Sequence, residues 1–390
     1  MNAISLTATA TGPLAVTRLR LTRFRNYGLL ALDLEPLPVI ATGPNGAGKT
    51  NLLEAISFLA PGRGLRRAKL SDIDPELGSP ELTKSAETGW AVAATVKTID
   101  GPIEIGTGRA PSEERRAVRI SGTPRKSQAA LSEFVSAVWL TPQMDRLFIG
   151  SPSGRRRFLD RLVFGFDAAH AGRVSAYESA MRQRARLLRD GSGDDVWLSV
   201  LENTMAERGV SIAAARRELA DRLNRACALG KGPFPNAELE LNGPLENWLE
   251  TLPALEVENR MREALEAGRQ ETADSARAPV GPHRSDLNVL HVEKGQWADR
   301  CSTGEQKALL IAIILADARL QAAERNSAPL LLLDEVAAHL DLQRRSAMFH
   351  AIRELGAQAW LTGTDRSTFE EMQGNAQFID ICEGRAHLLT

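Results

Sequence analysis

The sequence predicts an α/β fold, a mixed sheet with helices, built around a phosphate-binding loop and interrupted by an inserted helical arm. Three observations carry this expectation. The stretch ATGPNGAGKTNLLEAISFLA, residues 41–60, sets Gly43, Gly48, Lys49 and Thr50 in G-x-x-x-x-G-K-[ST] spacing between an apolar run and an amphipathic helical pattern. The stretch PLLLLDEVAAHLD, residues 329–341, is a continuous apolar run ending in two carboxylates, the form of a strand buried on both faces. Between them, over 152–230, the chain is rich in Ala, Arg, Leu and Glu at helical spacing.

Taken in order, short apolar or alternating runs at 15–21, 37–42, 90–97, 117–120 and 137–140 predict strands around the phosphate-loop helix. The helical run follows, broken at Asp190-Gly191-Ser192-Gly193. Residues 231–280 are mixed, with Gly-Pro and Leu-Pro punctuation and one helix at 257–268. Alternating strand and helix then return to the end of the chain. This divides the chain into 1–150, the first part of the nucleotide-binding head; 151–278, the inserted arm; and 279–390, the second part of the head.

Composition narrows the class. A chain of 390 residues that is 43% hydrophobic and 25% charged is long enough for a sizeable core and has the balance of a globular protein. Its longest apolar runs fall short of the ~18–20 residues that span a bilayer. No basic leader with a cleavage site opens it, so export is not expected. Three scattered cysteines suit a reducing compartment and form neither a disulfide framework nor a metal motif. The expectation is a cytoplasmic protein with no membrane partner. A net charge of −1 excludes a uniformly basic coat, but arginines cluster at Arg63, Arg66 and Arg67 (with Lys69), at Arg155, Arg156 and Arg157, and at Arg182, Arg186 and Arg189 on one helical face. The first two clusters are the candidate DNA contacts; solvated helix surface is the alternative for each.

The chemistry follows from the residue types. Gly43, Gly46 and Gly48 permit tight turns that aim backbone N–H groups at phosphate oxygens, and the helix that follows adds its positive end. The loop Gly43, Pro44, Asn45, Gly46, Ala47, Gly48, Lys49, Thr50 and Asn51 is the candidate ATP cradle. In it Lys49 reaches the β- and γ-phosphates, and Thr50 shares a Mg²⁺ ion with Asp334. Glu335, next to Asp334, is placed to orient or deprotonate an attacking water, which makes it and Lys49 the candidate catalytic residues. Ser302 and Glu305 form S-x-x-E ahead of an apolar helix, a capping box; the same start, with Gly304, offers free N–H groups to an anion.

P-loop, then Ser302-Thr303-Gly304-Glu305-Gln306, then Leu-Leu-Leu-Asp-Glu followed by Ala338-His339-Leu340-Asp341, resembles the motif order of ABC-type ATPases and their SMC-like relatives. The first of these looks like the ABC signature and the last like the D-loop. LTRFRNY at 21–27, PGRGLRR at 61–67, LTPQMDRLFIGSPSGRRRFLD at 140–160, GPHRSDL at 281–287 and LTGTD at 361–365 narrow the resemblance to the RecF-like family of bacterial recombination mediators. The resemblance implies an ABC-type P-loop ATPase head with a short helical arm, an ATP-dependent homodimer with slow, DNA-dependent hydrolysis, and binding to gapped or single-stranded DNA. It also implies work with RecR and RecO in loading recombinase, in replication-linked repair and in the SOS response. On the same ground Gln143 takes the Q-loop place, Ser302, Gly304 and Asp341 join the nucleotide site, and Arg25 and Asn26 lie close to it. Thr364 stands where transporter ATPases carry a switch histidine, and a threonine carries no protonic charge at neutral pH. His283 in Gly-Pro-His-Arg reads as a turn residue, with a catalytic role as the alternative, and His291 and His339 read as structural. Two other readings stay open: the ATPase subunit of a membrane transporter, and a nucleotide-gated DNA scaffold without significant hydrolysis.

Overall fold

The computed structural model describes residues 14–74, 89–111, 113–191, 194–230, 232–275 and 277–389. The chain divides into two compact units. One is made of Met1–Asp145, Lys231–Phe234 and Ile314–Thr390, the other of Arg146–Gly230 and Pro235–Ile313.

In the first unit a six-stranded sheet runs in the order Arg385–Leu389, Gln377–Cys382, Val39–Thr42, Ala359–Gly363, Leu330–Leu333, Ala137–Leu140. All pairings are parallel except the hairpin of its last two strands in sequence. Val39–Thr42, Leu330–Leu333 and Ala359–Gly363 are buried at every residue, which is why they read as unbroken apolar runs rather than alternations. Register sets Gly363 against Thr42, and Leu333 against both Leu361 and Leu140. The carboxyl ends of four strands therefore share one edge, where ligands bind in open α/β sheets.

The second sheet of this unit is antiparallel, in the order Tyr27–Asp33, Ala15–Phe24, Trp90–Thr98, Gly101–Arg109, Ala117–Ile120, Thr123–Arg125. Trp90–Thr98 alternates buried and exposed residues, as a sheet with one solvated face requires. Tyr27–Asp33 and Gly101–Arg109 lie outside the strands expected from sequence. Leu29, 78% exposed, obscures the alternation of the first, and three glycines and a proline give the second the composition of a turn. Pairing with Trp90–Thr98 along its whole length overrides that composition. Phe24, Phe58 and Trp90 meet with ring centroids 5.2–6.0 Å apart, so the end of the phosphate-loop helix, Lys49–Ser57, is packed against this sheet.

The second unit is mostly helical: Pro152–Phe164, His170–Asp190, Asp195–Ala228, Pro244–Thr251, Ala254–Ala267 and Arg269–Ser275, with a three-stranded sheet ordered Gln296–Trp297, Asp286–His291, Ala237–Asn242. The expected break lies between the second and third helices. Gly191 caps one at φ 62°, and Asp194 caps the next by accepting from the Val196 N–H at 2.9 Å; Ser192 and Gly193 lie outside the described residues. The longest helix has 34 residues, about 50 Å. The unit runs on to Ile313, past the return to the head expected at 279, because Asp286–His291 pairs with Ala237–Asn242.

Arginines hold this unit together from inside. Arg216 makes a two-pronged bond to buried Asp160 at 2.8 and 2.9 Å, and His170 Nε2 lies 2.8 Å from the same carboxylate. Burial raises the Asp160 carboxyl, but Arg216 and His170 outweigh it and bring it down to about 2. Arg184, 1% exposed, bonds Glu202 at 2.8 Å, and Arg269 closes on the same carboxylate at 2.7 Å. These side chains are costly to bury and costlier to leave unpaired.

His283 belongs to this interior. Its Nδ1 lies 2.6 Å from the Tyr177 hydroxyl, its Nε2 lies 3.2 Å from the Ala278 carbonyl, and its ring stacks on Tyr177. A neutral imidazole satisfies both, accepting from the phenol and donating to the carbonyl. Burial pushes its pKa down from 6.5 to about 4. The fold therefore holds the neutral form; the stability this gives is complete above pH 6.5 and is lost as pH falls from there toward 4, on the order of 3 kcal/mol. The melting temperature should drop across that window, and His283→Gln should flatten the drop. Parallel melting curves for parent and variant would remove His283 as the cause.

Candidate functional site

The phosphate loop is fixed from three sides. Gly43 has φ 149°, and a Cβ there would run into the Ile381 carbonyl oxygen of the neighbouring strand. Gly48 has φ 118°, and a Cβ there would lie 2.5 Å from Asn26 Nδ2 and 2.9 Å from the Tyr27 hydroxyl. Both positions demand glycine on conformation and on space. Asn26 donates to the Ala47 carbonyl at 2.9 Å, Tyr27 donates to the Gly48 carbonyl at 3.0 Å, and the Gly384 N–H of the C-terminal hairpin reaches Ala47 O at 3.3 Å. Asn51 donates to Asn26 at 2.7 Å. Inside the loop the Lys49 ammonium, 4% exposed, donates to the carbonyls of Gly43 at 2.8 Å and Pro44 at 2.9 Å. That uses two of its three N–H bonds and leaves one for an anion.

Across the sheet edge, Thr50 Oγ1 lies 3.1 and 3.0 Å from the two Asp334 oxygens. Thr362 Oγ1 donates to Asp334 at 2.8 Å and accepts the Glu335 N–H at 2.8 Å. Burial pushes the Asp334 carboxyl above its ordinary range, against the hydrogen bonds from Thr362 and Thr50 and the cation of Arg66, while Glu335 adds to the rise. Glu335 itself has φ 53°, a left-handed conformation that costs a non-glycine residue about 1–3 kcal/mol. Gln143 is exposed in the turn Pro142–Arg146, just past the strand Ala137–Leu140 that flanks Leu330–Leu333.

Beneath the loop a second network ties the phosphate-loop helix down. Glu54, fully buried, receives a two-pronged bond from Arg25 at 2.9 and 3.0 Å and a third contact from Arg66 at 3.3 Å. Arg66 also reaches Asn51 Oδ1 at 2.5 Å. Arg25 and Asn26, expected near the nucleotide, thus grip the helix and loop that would carry it. Glu54, Tyr27 and Thr362 lie within the quoted motifs, yet no role for them follows from the sequence: each is an ordinary residue of a helix or strand until distant segments meet.

Asp341 caps the helix Leu342–Leu355 by accepting from Arg344 N at 2.8 Å. Thr364 is exposed at the end of its strand. The side chain of His339 lies outside the described residues. Ser302 and Gly304 fall in the second unit. There Ser302 N donates to Glu305 Oε2 at 2.9 Å and Glu305 N donates to Ser302 Oγ at 3.4 Å, the reciprocal cap expected from the sequence. An ion pair with Lys294, then these bonds to Ser302, hold the Glu305 carboxyl down at about 2. Ser302, Thr303 and Gly304 are all exposed at the start of the helix Thr303–Arg325, and a Cβ at Gly304 would meet nothing within 4 Å.

A parallel sheet with the phosphate loop at its centre strand, an aspartate at the end of the strand two places over and an antiparallel sheet beside it define an ABC-type ATPase head. The chain belongs to the RecF/RecN/SMC N terminal domain family, whose model matches residues 15–385. It is 49% identical over 375 residues to the DNA replication and repair protein RecF of Mesorhizobium japonicum, covering 95% of this chain and 96% of that one. The RecF of Brucella suis is also 49% identical, over 95% of each chain. Among solved structures, the recombination mediator protein RecF-ATPrS of the RecFOR pathway has TM-score 0.82 at 22% identity, over 97% of this chain and 99% of its own. The Smc head domain of Pyrococcus furiosus has TM-score 0.54 at 16% identity, over 96% of each chain. Among the described residues no helix is long and apolar enough to cross a membrane.

The arginine clusters divide on inspection. Arg155 forks onto Asp286 at 2.7 and 2.7 Å and donates to the carbonyls of Phe148 at 3.0 Å and Gly150 at 2.6 Å. Arg156 donates to Ser285 O at 2.7 Å, and burial lowers its pKa. Only Arg157 of the three is exposed, so the triplet expected to meet DNA as a block is two fold-holding arginines and one surface arginine. In the first cluster Arg63, Arg66 and Arg67 are all exposed, and Arg66 is also engaged by Glu54 and Asn51. On the helical face, Arg182 and Arg186 make exposed pairs with Glu178 and Asp190 at 3.6 Å, of the kind worth little to stability. Arg155→Ala should cost about 2–4 kcal/mol, since it strands Asp286 and two carbonyls, and Arg157→Ala should cost under about 0.5 kcal/mol. Chemical denaturation of the two variants decides it; equal losses would return all three arginines to one class.

Proposed function

We propose that this protein binds ATP with Mg²⁺, pairs with a second copy around two nucleotides, hydrolyses ATP slowly, and acts on DNA in replication-linked recombinational repair. The observation that carries the reading is the gathering of Lys49, Thr50, Asp334 and Glu335 at one edge of the parallel sheet. The free N–H of Lys49 and the loop amides from Gly43 to Asn51 take the phosphates. Thr50 and Asp334 present adjacent hard oxygen donors, a set that suits Mg²⁺, which is typically held by one or two protein groups with phosphate and water completing its shell. Held there, the ion would supply positive charge to the nucleotide phosphates. Glu335 orients a water or takes its proton, and Gln143, exposed in the turn after the strand that flanks Leu330–Leu333, joins the same nucleotide site.

Ser302 and Gly304, exposed at a helix start with room above Gly304, serve the γ-phosphate held by the partner copy, with Asp341 at the junction of the two. Residues 1–150 and 279–390 then act together as the head, although 279–313 belong to the second compact unit, and 151–278 act as the arm. Exposed Arg63, Arg67 and Arg157 contribute to a DNA surface that is read by charge rather than by base sequence. RecF relatives at 49% identity bear the name DNA replication and repair protein, which supports work on DNA in replication and repair. The fuller reading takes gapped or single-stranded DNA as substrate, RecR and RecO as partners, recombinase loading and SOS induction as roles, and the cytoplasm as location.

Lys49→Ala should weaken ATP binding about a hundredfold, by removing a charge-assisted bond to ground-state phosphate. Glu335→Gln should keep binding and slow turnover roughly 10²–10⁴-fold, since it acts only as the reaction proceeds. A mixture of Lys49→Ala and Ser302→Arg chains should regain turnover that neither shows alone. Parental turnover by Glu335→Gln would remove Glu335 from the reaction, and a silent mixture would confine the site to a single chain.

A further inference from the structure

Thr362 is 1% exposed, on a central strand buried at all five positions. Such a position favours valine, which has the same shape, so the hydroxyl needs an explanation in what it bonds. It bonds both halves of the Asp-Glu pair, at 2.8 Å to Asp334 Oδ1 and 2.8 Å from the Glu335 N–H. An N–H can only donate, so the single hydroxyl proton goes to Asp334, and the direction of the chain Glu335 to Thr362 to Asp334 is fixed. The branched Cβ restricts χ1, and burial excludes water as a substitute partner. Glu335 has the left-handed φ of 53°, which persists in a non-glycine residue only where its surroundings hold it. The bond to Thr362 grips that residue at its own backbone nitrogen.

We propose that Thr362 is a positioning residue for hydrolysis, its hydroxyl holding the backbone of Glu335 in the left-handed conformation while it orients Asp334. The assignment rests on the ATPase reading above. Thr362 touches neither nucleotide nor water in this role; it acts through the two carboxylate residues, so a hydroxyl at this place is required and a methyl is not.

The full-length chain should be compared with Thr362→Val and Thr362→Ser for turnover at saturating ATP, for binding of a non-hydrolysed ATP analogue across a Mg²⁺ titration, and for melting temperature. Thr362→Val should bind the analogue at high Mg²⁺ within about threefold of the parent, turn over roughly ten- to a hundredfold more slowly, and need severalfold more Mg²⁺ for half-maximal binding. Thr362→Ser should restore both properties to within about threefold of the parent. A valine variant with parental turnover and Mg²⁺ midpoint would overturn the assignment alone. So would a serine variant as slow as valine with an equally lowered melting temperature, since that places the effect in the methyl group's packing. A parent that binds nucleotide and turns none over would overturn the assignment together with the hydrolytic part of the proposed function.

Discussion

The contact between Thr50 and Asp334 joins residues 284 positions apart, and the site exists because of it. Neither residue is unusual alone. Parallel pairing brings them together: Val39–Thr42 and Leu330–Leu333 both flank Ala359–Gly363, and all three end at one edge. The apolar runs that form these strands supply the burial energy, and the carboxylate at the end of one of them bears a desolvation cost offset by two hydroxyls. A carboxylate held out of water beside a lysine-containing loop interacts strongly with whatever ion and phosphate enter, because so little solvent screens it.

The rest of the first unit serves that edge. Asn26, Tyr27 and Gly384 hold the phosphate loop by its carbonyls. Arg25 and Arg66 hold its helix through Glu54. These contacts keep the loop amides oriented before any ligand arrives, which lowers the ordering cost of binding. The second unit achieves its own order differently, with arginine–carboxylate pairs inside a helical core, and leaves its exposed arginines on the surface.

Where the sequence was informative, the physics was local. Gly43 to Thr50 and Leu330 to Glu335 are contiguous patterns whose chemistry is set by neighbours along the chain, as is the reciprocal cap of Ser302 and Glu305. The antiparallel sheet was half legible, because Gly101–Arg109 becomes a strand only by pairing with Trp90–Thr98. The roles of Thr362 and Glu54 are not legible in the sequence, since they lie in contacts made 27 to 29 residues away. The same holds for the triplet at 155–157: three adjacent arginines look alike in sequence, and Asp286, 131 residues on, engages the first and not the last.

In the proposed function Asp334, gripped by Thr50 and Thr362, is where the metal joins the nucleotide site. Equilibrium binding of ATP to the full-length chain and to Asp334→Asn, each with and without Mg²⁺, tests it most directly. Asparagine preserves the shape and can accept from both hydroxyls, so the fold and the Mg²⁺-free affinity should match the parent. Mg²⁺ should tighten ATP binding to the parent and leave the variant unchanged. Equal tightening in both would contradict it.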